Sequence, residues 1–242
     1  MNKSQIVIQA NSGTQKPRDS ATLILVRSDG PEMRVLMGRR HERHSFMPGK
    51  FVFPGGAVDP SDAKVRPAVD LESRTLAKLM LRMRGRPSAR RARALAMAAV
   101  RETFEETGLI LGRRAPALSL VPGAGAWQPF LDLGFAPDLS QLALIARAIT
   151  PPGRTRRYDS RFFLAHASGL ANLDAPARRA NDELLAPRWF SFTEALALDL
   201  PSITREILSG VRDSLSAEGA LRSDCPVVFG YAKGKSWRRD KL

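Results

Sequence analysis

The chain predicts an α/β domain in which a mixed β-sheet lies between helices on its two faces. Three observations carry that class. Two β-rich runs near the start, "ATLILVR" (21–27) and "MRVLMGRR" (33–40), are separated only by "SDGPE", a turn signal that makes them a strand pair. One long helical pattern follows at about 89–107, and two more strand-like runs, "LALIARAIT" (142–150) and "SRFFLAH" (160–166), come after it. A last helical pattern at 202–217 closes the order. Hairpin-like neighbours in such an order favour a mixed sheet over a fully parallel one.

Each element has its local reason. "SFMPGKFVFPGG" (45–56) sets two Pro-Gly turn signals around a short apolar strand at Phe51–Phe53. The character then changes: "LESRTLAKLMLRM" (71–83) has helical spacing and is stopped by "GRP", which marks a helical insertion at about 60–90. Ser88 is placed to cap the next helix, and Gly108 to end it. "LILG" (109–112) starts a strand, and residues 123–140 are loop-rich with one short helix. "PPGRTRRYD" (151–159) is a basic loop, "PRWFSF" (187–192) a last short strand, and "TEALAL" the start of helical spacing. The domain is therefore expected over 20–217, between a flexible N-terminal arm (1–19) and a Gly- and Lys-rich C-terminal tail (218–242).

Composition narrows the class of function. A length of 242 residues suits one domain with insertions, and 43% hydrophobic content supports a real core. The first twenty residues lack the apolar centre of a secretory signal, and no apolar run reaches the ~18 residues of a membrane span. The single cysteine, Cys225, forms no intrachain disulfide and points to a reducing, cytoplasmic setting. A net charge of +14 favours anionic partners: phosphate-rich metabolites, nucleic acid or a membrane surface. Much of that charge sits in "RMRGRPSARRARA" (82–94) and in the C-terminal "KGKSWRRDKL".

Against that basic background, "AVRETFEETGLI" (99–110) is anomalous. Met97, Val100 and Phe104 recur at steps of three and four and form a core-facing stripe. Glu102 lies opposite the centre of that stripe, with Glu105 and Glu106 flanking it one turn later. Leu95 and Ala98 share that side, so it need not be fully solvated. The acids stand where the helix dipole opposes them, and they repel one another. A solvated acidic face with Arg101 as local partner is one reading. The other is that a cation neutralises the cluster, and carboxylate oxygens suit Mg²⁺ or Mn²⁺. Mg²⁺ held by carboxylates is commonly completed by water and substrate phosphate.

"RETFEETGL" (101–109) resembles the second half of the Nudix box, Arg-Glu-apolar-X-Glu-Glu-X-Gly-apolar on a helix. The box normally opens with a Gly fourteen residues before the Arg. Here the "FPGG" turn ends at Gly56, 45 residues before Arg101, so 31 residues are inserted. The box glutamate between Gly and Arg has no clear equivalent, and Asp59 or Asp62 stands where it would take over part of that role. The resemblance covers about 20–215. It implies a Nudix-type α/β/α sandwich and a diphosphatase. By resemblance, Glu102, Glu105 and Glu106 are metal ligands, one of them doubling as proton acceptor, with Arg101 orienting them and the Gly55 carbonyl offered to the metal. Glu183 occupies a loop position where some Nudix enzymes carry an additional acid.

The split box resembles a branch that includes the peroxisomal coenzyme A diphosphatases. That implies cleavage of coenzyme A or acyl-coenzyme A to 3′,5′-ADP and (acyl-)4′-phosphopantetheine. "VLMGRR" with "PGKFVFPGG" also partly matches another coenzyme A branch, but Ser45 stands where its second Arg is expected. Arg39, Arg40, Arg156 and Arg157 are candidate phosphate binders, since Arg grips phosphate in a bidentate way. Phe53, with Phe46, Met47 and Phe51, offers faces for an adenine, although aromatics and Met more often fill a core. The alternatives are ADP-ribose or another nucleoside-diphosphate derivative, RNA-cap processing, RNA binding, and nucleotide sensing without cleavage. His41 and His44 lack the further ligands of a zinc site. Cys225 lacks an activating neighbour, and no Gly-X-Ser-X-Gly elbow is present. The apolar "LAKLMLRM" of the insertion suits packing on its own chain, closing over substrate, or meeting a second subunit in a homodimer.

Overall fold

The computed structural model describes residues 15–43, 47–115, 122–177, 181–216, 225–234 and 236–242. His44, Ser45, Phe46 and most of the expected N-terminal arm lie outside these residues.

Two long strands, β1 (Arg18–Arg27) and β2 (Arg34–Arg40), form the antiparallel pair expected from the "SDGPE" turn. They pair directly only at their turn end, Val26 with Val35 and Arg27 with Arg34. Beyond it they splay, and the next segment fills the wedge. Its first half, β3 (Phe51–Val52), pairs with β2 at Gly38 and Arg39. Its second half, β4 (Gly55–Ala57), pairs with β1 at Ser20–Thr22. The Pro-Gly-Gly turn is thus built into the middle of the sheet.

The insertion then folds as a 3-10 turn at Pro60–Ala63 and a helix, α1 (Ser73–Met80). The long helix α2 (Ala89–Thr107) starts at Ser88, whose hydroxyl accepts from the Arg91 N–H, and ends at Gly108 in the left-handed region with φ 74°. A Cβ on Gly108 would lie 1.9 Å from the Ala177 carbonyl oxygen, so glycine is required there on two counts. After α2 come β5 (Gly112–Arg114), the short helix α3 (Gln128–Leu131) and β6 (Phe135–Pro137), with β5 and β6 forming a separate two-stranded sheet.

The chain returns to the main sheet with β7 (Ala143–Ile149), β8 (Tyr158–His166) and β9 (Leu184–Ser191). Helices α4 (Phe192–Ala197) and α5 (Ser202–Ser214) follow, then β10 (Val228–Lys233) and β11 (Ser236–Lys241). The main sheet runs β11-β10-β7-β8-β1-β2-β3, with β4 on β1 and β9 on β2. β8 is parallel to β1 and antiparallel to β7, so the sheet is mixed.

Period-two alternation divides the core. Leu23, Leu25 and Leu36 face α2 and the insertion, while Ile24, Val26, Val35 and Met37 face α4 and α5. One expectation is corrected. Residues 225–242, placed by sequence in a tail, carry two strands of the sheet: β10 pairs with β7, and β11 covers β10. Backbone pairing holds this hairpin, and β11 is mostly exposed. Its charged residues on a sheet edge therefore read as a tail in sequence.

Candidate active site

The second half of α2 is buried on both sides. Glu102 and Glu106 face the Gly55–Ala57 strand of the sheet, and Phe104 of the apolar stripe packs on Phe130, with ring centroids 5.2 Å apart. Arg101, Glu102 and Glu106 are buried and Glu105 is half-buried, so the acids are not a solvated face.

Arg101 is the hub. Its Nε donates to Asp62 Oδ1 (2.9 Å), and its Nη2 donates to Asp62 Oδ2 (3.1 Å) and to the Ala57 carbonyl (3.0 Å). Its Nη1 donates to Glu102 Oε1 (2.8 Å) and Glu105 Oε2 (3.2 Å). Of the two insertion acids, Asp62 therefore meets Arg101, and Asp59 instead caps the 3-10 turn through Ser61. Glu106 is held separately: its Oε2 accepts the Gly55 N–H at 3.0 Å.

The paired glycines allow the crowding. A Cβ on Gly55 would come within 2.5 Å of the Ala21 carbonyl, and one on Gly56 within 2.4 Å of the Glu102 carboxyl. The turn therefore lies directly against the acidic helix. The sequence reading names Gly55 and misses Gly56 as the residue Glu102 rests on. It also misses Trp127, whose Nε1 donates to Asp62 Oδ1 at 2.8 Å. The Gly-Gly pair is a readable signal for the first, whereas nothing local marks the second.

Three carboxyl groups, Asp62, Glu102 and Glu105, thus share one guanidinium, and Glu106 is held apart by the Gly55 N–H. Burial, opposed by Arg101 and helped by Glu105, lifts Glu102 to a pKa of about 7. Burial and then the charge of Glu102 push Glu106 well above the usual glutamate range, against the Gly55 N–H. Burial raises Glu105 too, with Arg101 opposing it. For Arg101 itself, desolvation is outweighed by Asp62, Glu102 and Glu105, and its pKa rises.

This donor set fits a hard divalent cation: buried carboxylate oxygens short of positive charge, beside a backbone that approaches closely. Among the described residues, no three acidic, histidine or cysteine side chains already close on one point. Such an ion would therefore draw the rest of its oxygens from the backbone, water and phosphate, as Mg²⁺ commonly does.

The other expected residues divide. Arg40 and Glu183 stand together at the rim, because Arg40 of β2 pairs with Leu184, the first residue of β9. Their charges act on Glu106, Arg40 lowering its pKa and Glu183 raising it. The loop carrying Glu183 is tied to the end of α2: the Ala177 N–H donates to the Gly108 carbonyl and the Asn181 N–H to the Glu105 carbonyl. Arg39 is exposed and paired with Glu42.

Arg156 and Arg157 are not brought to the acids. Arg157 donates to the Thr150 and Gln15 carbonyls. Its neighbour Tyr158 pairs with Arg18, whereas Gly55 pairs with Thr22, four residues or about 13 Å further along β1. Phe53 is buried in the core on the α4–α5 side and offers no face to a ligand. In the basic run 82–94, Arg82 pairs with Asp240, Arg91 with Asp19 and Arg93 with Asp70. Much of that charge is structural, which weakens a nucleic-acid reading.

A crystal structure of a Nudix hydrolase from Alicyclobacillus acidocaldarius superposes with a TM-score of 0.59 and 29% identity, covering 82% of this chain and 92% of that one. The chain has the Nudix hydrolase fold. The splayed β1–β2 pair, the Gly-Gly wedge and the acidic half of α2 are its Nudix features here, with the box split by the insertion. The acyl-coenzyme A diphosphatase NUDT19 of Gallus gallus is 30% identical over 240 residues, covering 74% of this chain. The chain spans 62% of the length of that relative. No family model matches. No helix among the described residues of this Nudix fold is long and apolar enough to cross a membrane.

Proposed function

We propose that the chain is a metal-dependent Nudix diphosphatase that cleaves the diphosphate of coenzyme A or its thioesters. The products are 3′,5′-ADP and (acyl-)4′-phosphopantetheine. The observation that carries the hydrolase reading is the close grouping of Glu102 and Glu105 on Arg101 with the buried Glu106 on the Gly55 N–H. The coenzyme A assignment rests on the split box and on the likeness to the acyl-coenzyme A diphosphatase.

Glu102, Glu105 and Glu106, with the Gly55 carbonyl, would hold Mg²⁺ or Mn²⁺. Bound there, the ion would polarise phosphoryl oxygens and acidify a water. This chain's own residues do the rest. Arg101 keeps Glu102 and Glu105 in place, and the Gly55 N–H fixes Glu106. Glu183 is exposed at the rim, and its carboxylate takes the proton of the attacking water. Arg40 neutralises diphosphate charge as substrate enters.

The test is turnover of a diphosphate panel with Mg²⁺ or Mn²⁺, resolved by product chromatography. Coenzyme A or acyl-coenzyme A should be cleaved. Turnover of ADP-ribose with none of coenzyme A overturns the substrate assignment. Glu106→Gln should remove most activity while the fold persists, and unchanged turnover in that variant refutes the metal-ligand role.

A further inference from the structure

The acids occupy one face of the sheet, and the other face has a cavity of its own. A cleft of about 300 Å³ opens between α5 on one side and β7, β10 and β11 on the other. That volume is at the lower end of what small-molecule sites occupy. Its walls are aliphatic: Ile203, Ile207 and Val211 come from α5, Ile145 from β7, and Pro226 and Val228 from β10 and the residues before it. Among the described residues no aromatic ring lines it. The polar groups of the wall are already engaged. Ser214 Oγ donates to the Gly210 carbonyl at 2.7 Å, the Cys225 thiol donates to the Ser214 carbonyl at 3.6 Å, and the Arg147 guanidinium is bound to Asp159. The deep part of an occupant therefore has to be apolar.

The mouth is charged. Arg239 of β11 grips both carboxylate oxygens of Glu206 on α5, Nε to Oε1 at 2.5 Å and Nη2 to Oε2 at 2.8 Å. Arg239 is the more exposed partner, 61% against 30% for the side chains. Lys241 follows two residues on, on the same face of β11 and across from Val228 of the cavity wall. Two cations against one acid leave the mouth positive. Its lip also carries a residue that packing does not require. Gly210 lies inside α5, where glycine is unfavourable relative to alanine. A Cβ there would meet nothing within 4 Å, and its φ is not in the left-handed region. What the missing side chain does is leave the cleft open.

We propose that this cleft binds a single alkyl chain ending in a carboxylate, a free fatty acid, with the chain against Ile203, Ile207 and Val211 and the carboxylate on Arg239 and Lys241. Aliphatic walls with no ring to stack on, and charge at one end only, match that chemistry. The site is separate from the acids, which lie on the α2 face across the sheet. It stands or falls independently of the diphosphatase reading.

The experiment titrates octanoate calorimetrically into the full chain and into Gly210→Leu and Arg239→Gln, with circular dichroism as the check on fold. Octanoate should bind wild type, and each methylene added between hexanoate and octanoate should tighten binding about fourfold. Gly210→Leu fills the lip and should abolish binding. Arg239→Gln should weaken octanoate several-fold and leave octanol unchanged. Cys225 is the single cysteine of the chain, so its reaction with N-ethylmaleimide, followed by mass spectrometry, reports on the wall directly. Octanoate should slow that reaction in wild type and not in Gly210→Leu. Should Gly210→Leu fail to fold, protection of Cys225 in wild type decides alone. No octanoate binding by wild type, equal binding by folded Gly210→Leu, or binding that leaves Cys225 unprotected overturns the inference. Octanol bound as tightly as octanoate overturns the carboxylate assignment.

Discussion

Replacing Glu102 with Gln removes a negative charge and keeps an acceptor for Arg101 Nη1. Glu102 is buried, and its pKa stands at about 7 against the usual 4.5. The folded protein therefore keeps a proton that the unfolded chain has already released. This group's contribution to stability is present below pH 4.5 and is lost as pH rises to about 7. At about 1.4 kcal/mol per pKa unit, the rise from 4.5 to about 7 amounts to roughly 3 kcal/mol. In metal-free protein the wild type should thus lose about 2–3 kcal/mol between pH 5 and pH 8 that Glu102→Gln keeps. The loss of the Glu102 charge also relieves Glu106, which adds in the same direction. Urea unfolding in chelator at both pH values measures the difference. A Glu102→Gln variant that is destabilised equally at pH 5 and pH 8 would refute the reasoning.

Three further outcomes follow from the same geometry. Because protons compete for the raised carboxylates, Mg²⁺ should increase the melting temperature more at pH 8 than at pH 6, and differential scanning calorimetry at equal ionic strength tests the order. Gly56→Ala drives a methyl group into the Glu102 carboxyl; it should lower stability by about 1–3 kcal/mol and reduce turnover, read by urea melts and product release. Asp159→Asn should destabilise by about 3–5 kcal/mol in chemical denaturation while Mn²⁺ affinity stays at the wild-type level. Asp159 is fully buried between Arg147 (2.8 Å) and Arg161 (2.7 Å), and the change leaves both guanidiniums short of countercharge.

What the sequence made legible was what local chemistry encodes. Both ends of α2 are written in Ser88 and Gly108, one a side-chain cap and the other a backbone conformation that needs glycine. The main strands are written in their β-rich runs. The acids were readable because three glutamates at the C-terminal end of a helix conflict with the helix field. The errors have a common cause. Trp127 reaches Asp62 across 65 residues, and no periodicity reports such a meeting. Phe53 alternates into the core on the far side of the sheet because the segment joins the ladder, which a Pro-rich stretch does not announce. Charge alone marks Arg156 and Arg157 in the sequence, and register places their loop at the other end of β1 from Gly55.

A 31-residue interruption should ruin a motif whose function depends on spacing, yet the two halves of this one meet. The reason is that neither half relies on the intervening chain for its position. Gly55–Ala57 is registered by its ladder with β1. The acidic half of α2 is registered by the packing of Phe104 on Phe130 and by the tie from Gly108 to Ala177. Between them, Asp62 and the Ala57 carbonyl bind Arg101 directly, so the first turn of the insertion is stapled to the helix before the rest departs. Once both ends are pinned, the entropy of closing the remaining loop grows only as the logarithm of its length, about 0.6 kcal/mol per doubling. The insertion can therefore be long. What it cannot lose is its first turn, since the acid that balances Arg101 is encoded there rather than in the motif.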